Sequence, residues 1–455
     1  MRSNNLTQEL HETVEGRVIE PGDPGYDETR TVFYTGFERR PQAIVRAKNS
    51  NDVSRVVSLA KEEGVELAVR SGGHSTAGHG VSHGGIVLDL HDMKSLEIDV
   101  DQGTAWAETG LTAGEYTEAA GAHGLATGFG DTPSVGIGGI TLGGGVGFLH
   151  RLHGLTIDNL LAAEIVTADG ETRYVDDRSH PDLFWAIRGG GGNFGVATRL
   201  EFRLHEVDRI VGGMLMLPAT PEVIASFVHE AETAPDELSA IANVMVAPPM
   251  PFIPAEHHGK LLMMALVVYT GGEEAGEQAV TPFRSLADPL MDTIQPIRYS
   301  AMYQGGEEPP HPVAMAVRNF FTEEINEKDA AAITEQLQVS TAPMRVTQIR
   351  VLGGAVDRVS PQTTAYAHRG RKVMVNVAAA YEDLNERPHH ETWVDQLAGA
   401  LRKGEPGAYA NFLGDEGEAR VREAYPRPTW DRLVEVKKKY DPTNLFRLNQ
   451  NIPPE

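Results

Sequence analysis

Along the first 200 residues, apolar and polar positions fall into short blocks that switch between two periods. Residues 41–45 are largely apolar and become β-prone towards Val45. Asn51 and Asp52 can cap a helix that runs over residues 53–63, where Val53, Val56, Val57, Leu59 and Ala60 form one apolar stripe. Residues 67–69 read as a strand, followed by a glycine loop at 71–74, and residues 86–90 read as a second strand. Thr112 opens a predicted helix through about Gly121, because Glu115 stands at capping-box spacing. Residues 161–167 and 172–175, joined by Ala168, Asp169 and Gly170, predict a hairpin. This half of the chain alternates strands and helices around glycine-rich loops.

The pattern changes after Leu204. Pro and Met become frequent over residues 214–254, and strand-like runs follow at 261–269, 345–351 and 373–380. Helical spacing recurs at 221–232 and 330–337. Together these predict a second domain of sheet plus helices. From Trp430 the pattern is helical again, ending in a loop at 440–444. There is no internal repeat and no low-complexity tract.

Composition narrows the function classes. The 455 residues are 41% hydrophobic and 23% charged, which is ordinary globular usage. Forty basic residues stand against 64 acidic ones, a net charge of -24. That balance disfavours nucleic acid and anionic membranes as partners, since both need clustered Lys and Arg. Only ten of the basic residues are lysine. Arginine over lysine with excess acid fits a salt-adapted host, a GC-rich genome or a plain solvated surface. Zero cysteine removes disulfides, thiolate metal sites and cysteine nucleophiles, and no metal site is expected. The first 20 residues lack the apolar core of a signal peptide, and no apolar run approaches a membrane span. A soluble, cytoplasmic protein is expected.

The chemistry is concentrated in glycine. The chain has 48, and three clusters stand out, at 70–74, 136–147 and 188–195. Glycine lets backbone approach a ligand without a side chain in the way and reaches positive φ at little cost. Successive N–H groups can then cradle an anion, so an acidic chain could hold a pyrophosphate without a basic patch. The middle cluster contains pieces of a GxGxxG pattern but runs on too long for the single turn of a Rossmann unit. No Gly-Lys-Ser/Thr follows, which excludes a Walker loop. The bland alternative is a scaffold of tight turns.

Four segments carry a resemblance. They are residues 69–74 with 84–90; residues 135–159, ending in Gly154, Leu155, Thr156, Ile157, Asp158 and Asn159; residues 184–195; and residues 440–454. In register along nearly the whole chain, they resemble the berberine-bridge-enzyme-like FAD oxidases of the vanillyl-alcohol-oxidase superfamily. The resemblance implies an α+β, two-domain flavoprotein. Its FAD-binding domain would be bipartite and of PCMH type, and its substrate domain an antiparallel sheet with helices. The implied boundaries are 1–205 for the main FAD-binding part, 206–400 for the substrate domain and 401–455 for a segment returning to the first domain.

The same resemblance assigns roles. His74 matches the histidine that carries FAD through the 8α-methyl, and a neutral imidazole is a competent nucleophile there. Arg70, Ser71, Gly72, Gly73 and Ser75 would hold the pyrophosphate and one flavin edge. Gly136, Gly138, Gly139 and Thr141 would line the other side, with Asp158, Asn159, Gly195 and Val196 nearby. Asn449 sits in the tail that returns to the flavin, or is a simple anchor. His79 and His83 are left as loop residues. Many relatives tether the flavin a second time through a cysteine, and Thr132 stands at that position. A hydroxyl makes no thioether, so FAD should be monocovalent; the alternative is a plain loop threonine.

The catalytic positions depart from the pattern. Sugar-oxidising relatives use the last tyrosine of a Tyr-x-Asn-Tyr stretch as base, and here Tyr409, Ala410, Asn411 and Phe412 leave no acidic proton at that place. Three residues before Gly353 and Gly354, where relatives often place a carboxylate or amide, stands Arg350. Period-two alternation would aim Gln348, Arg350 and Leu352 at one face. Arginine stays protonated and is a poor base, but it could bind a carboxylate or stabilise an enolate or phenolate. A domain-interface salt bridge is the alternative.

The expected function is an FAD-dependent oxidase passing hydride from a small organic substrate to the flavin and electrons to O2, giving H2O2. Without the tyrosine base, amine oxidation is favoured over sugar oxidation. The other readings are an oxygenase or oxidative cyclase, a dehydrogenase with another acceptor, and a nonenzymatic flavin binder. Small-molecule substrate and O2 are the expected partners, acting on a monomer or homodimer.

Overall fold

The structure is a computed structural model that describes residues 2–249, 253–304 and 313–455. Met250 and two neighbours within the Pro- and Met-rich stretch lie outside the described residues.

Three large sheets, beside a small two-stranded one, organise the described residues. In the first, strands Ala43–Arg46, Ile86–Asp89 and Leu67–Arg70 pair in parallel, with Arg17–Ile19 antiparallel at the edge. Helix Ser50–Glu63 makes the crossover, and its Val53, Val56, Val57 and Ala60 pack into one core with Val45, Leu67 and Leu88. The helix is capped by Asn49, not by Asn51 or Asp52: Asn49 Oδ1 accepts the Asp52 N–H at 3.0 Å. Asp52 is occupied elsewhere, because its carboxylate accepts the N–H groups of Glu15, Gly16 and Lys48. The predicted capping box at Thr112 and Glu115 is present on helix Ala113–Gly121.

The second sheet is antiparallel, in the order Leu96–Asp99, Thr104–Glu108, Val196–Arg203, Leu160–Val166, Thr172–Val175. Its last two strands are the predicted hairpin. The third sheet has eight strands among the described residues, all antiparallel. Strands Leu238–Val246, Met344–Val351, Val373–Tyr381 and Ala314–Thr322 lie side by side in it.

Period-two alternation splits that sheet into two faces. Ile349, Val351, Val373, Val375 and Val377 pack under helices Pro221–Thr233, Glu327–Val339 and Arg387–Leu401. Arg350, Met374 and Asn376 point the other way, towards the first two sheets. No helix among the described residues is long and apolar enough to cross a membrane.

Several elements escaped the sequence pattern. Arg2–Thr13 form a helix for which the sequence pattern offered no expectation. The glycine run at 136–147 holds a helix, Ile137–Gly143, rather than loop throughout. Strands Arg209–Pro218, Leu238–Val246 and Ala314–Thr322 were hidden, because buried strands read as continuous apolar runs.

Candidate functional site

A cavity of about 470 Å³ lies where the glycine loops, the chain's tail and the open face of the third sheet meet. All three glycine clusters contribute to its wall. Each is built by local chemistry. Strand Leu67–Arg70 ends on Arg70, whose Nη2 donates to Asp89 Oδ2 at 2.7 Å, its register partner on the neighbouring strand. Both side chains are buried, and Arg70 also donates to the Thr31 carbonyl at 3.3 Å. Its charge therefore anchors the loop and is matched within the protein.

The next residues interlock with the second cluster. Ser71 Oγ donates to the Thr109 carbonyl at 2.5 Å. A Cβ on Gly72 would overlap the Gly136 amide, and one on Gly136 would overlap Gly72 and Ser71. These two glycines are required because backbone lies on backbone. Gly139 and Gly192 differ. Both line the cavity, and a Cβ there would meet no described atom within 4 Å. Bare backbone at these points leaves room for a ligand.

His74 follows on the same wall, its ring stacked on Phe33 at 4.1 Å. Burial pushes its imidazole down to about 4, against a hydrogen bond to the Ser134 backbone that acts the other way. The ring is therefore neutral at physiological pH. Thr132 also lines the cavity, with its hydroxyl 3.3 Å from Asp131 Oδ1. From the tail comes Asn449, whose Oδ1 is buried with no hydrogen-bond partner among the described residues. That tail is pinned by Lys437, which donates to Asp441 at 2.7 Å and to the Asn193 and Phe446 carbonyls. Asn193 in turn binds the Gln450 carbonyl and the Ile452 N–H.

These features suit FAD. The cavity runs between bare glycine backbone and an unpartnered amide oxygen, as a phosphate-bearing group rich in hydroxyl donors requires. Ser75, Gly73, Gly138, Gly195 and Val196 share the wall.

The opposite wall is made of side chains. Arg350 is buried and donates from Nη2 to Asp131 Oδ2 at 2.7 Å, from Nη1 to the Val146 carbonyl at 2.8 Å, and from Nε to Gln348 Oε1 at 3.0 Å. It joins the sheet to the glycine loops and lies 5.2 Å from the centre of the Phe412 ring. With these donors engaged, it is not a free cation for a substrate carboxylate. Tyr409 is likewise held: its hydroxyl accepts the Gly145 N–H at 2.8 Å and the Asn411 amide at 2.9 Å. Asn411 also donates to the Ile140 carbonyl.

Four of the sequence-selected residues are not on the cavity wall. Thr141 is buried in its helix, its hydroxyl donating to the Ile137 carbonyl. Asp158 takes both Nη groups of the buried Arg369 at 2.7 Å. Asn159 donates to the His153 and Leu155 carbonyls and pairs with His205. Gln348 stands one shell back, donating to Asn243 and accepting from Arg350. Asp158 and Asn159 build the chain around the cavity and do not face it.

Sequence reasoning missed Tyr34, Asp131 and Asn376, and set His79 aside; all four line the cavity. A lone asparagine in the apolar strand Val373–Tyr381 was a readable signal, since a polar residue inside a buried strand needs a reason.

Interlocked glycine loops facing an antiparallel sheet across one long cavity define a two-domain FAD-dependent oxidoreductase. The family described as "FAD binding domain" matches residues 41–176, and that described as "Berberine and berberine like" matches residues 408–453. The chain is 31% identical to (R)-6-hydroxynicotine oxidase of Paenarthrobacter nicotinovorans, over 97% of this chain and 98% of that protein. It is 28% identical to tetrahydroberberine oxidase of Berberis wilsoniae, over 93% of this chain and 87% of the relative. The solved 6-hydroxy-D-nicotine oxidase of Arthrobacter nicotinovorans superimposes with a TM-score of 0.86 at 28% identity, covering 97% of this chain and 98% of that one. A berberine bridge enzyme variant described as a reticuline dehydrogenase shares the fold, with a TM-score of 0.86 at 21% identity and 99% of each chain covered. The chain belongs to the berberine-bridge-enzyme-like FAD-linked oxidoreductases of the vanillyl-alcohol-oxidase superfamily.

Proposed function

We propose that the protein is an oxidase whose FAD is bound covalently through His74 alone, that it takes hydride from a small amine or alcohol, and that O2 is the final acceptor. The reading rests on one observation: His74 lines the cavity at the end of the first of two interlocked glycine loops, with a threonine instead of a thiol at Thr132. FAD, when bound, supplies a two-electron acceptor for hydride and, once reduced, a reductant for O2.

The chain's own residues do the rest. His74, unprotonated above about pH 4, offers a nitrogen lone pair for the tether. Thr132 has no group able to form a second one. Ser71, Gly72, Gly73, Ser75, Gly136, Gly138, Gly139, Gly195, Val196 and Asn449 would hold the cofactor. Arg70 would fix their loop through Asp89. Phe412, Met315 and Val317 supply apolar surface for the substrate body and help exclude water. The relatives named above act on amines, by their names a hydroxynicotine and a tetrahydroberberine.

Acid precipitation tests the tether. Wild type should give a yellow pellet and His74→Ala a colourless one. If wild type releases all its flavin, the covalent reading fails. A peroxide-coupled screen of amines, alcohols, sugars and phenols tests the reaction. Peroxide should appear with an amine or alcohol. Flavin bleaching without peroxide on readmission of air would make the protein a dehydrogenase instead.

A further inference from the structure

We propose that Asp131 is the proton acceptor of this reaction, filling the role left vacant by Phe412, and that Arg350 and Gln348 are positioning residues that hold it. The proposal rests on the hydride-transfer reading above.

Asp131 is the one carboxylate among the described residues lining the cavity. Its two oxygens are unlike. Oδ2 receives Arg350 Nη2 at 2.7 Å and Gln348 Nε2 at 3.4 Å. Among the described residues, Oδ1 receives only the Thr132 hydroxyl, at 3.3 Å. One oxygen is thus fixed by the third sheet, and the other keeps acceptor capacity beside the cavity. A positioned base must reach the proton it takes, so geometry decides first.

Three other titratable groups on the cavity wall are engaged or unsuited. Tyr409 already accepts two hydrogen bonds. Tyr34 is pushed up to about 12 by burial and by the Asp131 charge, so its proton stays on. His74 is assigned to the tether. The titratable groups facing Asp131 are Arg350, Tyr34 and Tyr303, the last donating to the Gly130 carbonyl at 2.6 Å.

A second open acceptor sharpens the substrate class. Asn376 Oδ1 is buried, lines the cavity and has no partner among the described residues. It lies opposite Gln348 in the strand register. Two open acceptor oxygens call for a substrate with at least two N–H or O–H donors. The Asp131–Arg350 pair is charge-balanced, which favours a neutral molecule over a cation. The substrate is therefore a neutral alcohol, phenol-bearing alcohol or unprotonated amine. In the step, the substrate's O–H or N–H bond breaks and its proton forms an O–H bond on Asp131 Oδ1. The electron pair left behind closes C=O or C=N, while the C–H hydrogen departs as hydride, carrying two electrons to FAD.

The test uses holoenzyme and the substrate emerging from the peroxide screen. Asp131→Asn keeps shape and removes the base. It should slow anaerobic flavin reduction about 10²–10⁴-fold, with KM near that of wild type. The acid limb of the wild-type pH–rate profile should be absent from this variant. Flavin content and dithionite bleaching should be unchanged, while the thermal midpoint should fall, because buried Arg350 loses its carboxylate partner. Asp131→Glu should recover part of the rate and the limb, and it carries the test if the Asn variant fails to fold. Arg350→Met should slow flavin reduction with flavin content unchanged, and Arg350→Lys should restore part of the rate. Reduction of Asp131→Asn within about threefold of wild type, or a retained acid limb, overturns the proposal alone. A wild type that oxidises nothing in the screen overturns the oxidase reading and this proposal with it.

Discussion

The two walls of the cavity are made of different material. On the glycine wall the working surface is backbone: Gly72 and Gly136 touch with no room for a methyl, and Gly139 and Gly192 are bare. On the sheet wall the surface is side chain: Arg350 and Asn376 project from a frame whose far side is a packed apolar core, and Phe412 joins them from the turn Ala410–Phe412. The first wall couples fold and ligand site so closely that neither changes without the other. The second separates them, because alternation along a strand sends one residue to the core and the next to the cavity. Chemistry can vary on the sheet wall while the fold is kept.

That contrast is broken first where it is strongest. Gly136→Val should cost more than about 4 kcal/mol, because a side chain must displace the Gly72 backbone and the Ser71 hydroxyl. Little soluble, yellow protein should be recovered. Normal yield and colour would mean that the loops can part. Next is the tail. Lys437 and Asp441 are fully buried, so Lys437→Met leaves Asp441 without its partner and should cost about 3–5 kcal/mol in urea unfolding. Asn449 would lose its place with the tail, so free flavin should rise in a His74→Ala background.

The same contrast explains what could be read from sequence. Glycine clusters are contiguous, so 70–74, 136–147 and 188–195 announced the first wall. What was not legible is that Gly72 and Gly136 serve each other, since that contact joins segments 64 residues apart. The Asp158 and Asn159 motif was legible as a motif but not as a brace, because Arg369, its partner, lies 211 residues away. The sheet wall is assembled from strands paired through register. Arg350 was readable from its distance to a Gly-Gly pair, but its salt bridge to Asp131 spans 219 residues and no local pattern encodes it. Asp131 was passed over for its neighbour Thr132, where an absence was easier to see than a presence.

A pH titration sharpens the comparison on a smaller scale. Burial depresses His79, on the cavity wall, and His368, behind it, from 6.5 to about 4. As pH falls below about 6.5 the unfolded chain binds these protons first, while the folded state stays neutral until about pH 4. Their contribution is therefore full above about 6.5 and is lost between 6.5 and 4. Each such group adds a slope of about 1.4 kcal/mol per pH unit in that window. The melting temperature should be flat near neutrality and fall steeply below it, and His368→Asn should flatten the fall. An unchanged slope would mean that His368 is protonated in the folded state. Asn376→Leu should leave stability within about 1 kcal/mol, since its oxygen is unpartnered, yet weaken substrate binding as a raised KM.

The smallest expected effect tests where the two walls meet. Thr132 belongs to the loop that leads into the glycine run, but its hydroxyl touches the side-chain wall through Asp131 Oδ1 at 3.3 Å. Such a long hydrogen bond near the surface of a cavity contributes little, so Thr132→Val should change stability by no more than about 0.5 kcal/mol. Its kinetic effect should be equally slight if Oδ1 is the oxygen that takes the substrate proton, because the substrate replaces the hydroxyl there. A loss of rate approaching that of Asp131→Asn would instead make the Thr132 hydroxyl part of the proton path. The loop would then carry chemistry as well as shape, and the division between a backbone wall and a side-chain wall would fail at the point where the two are in contact.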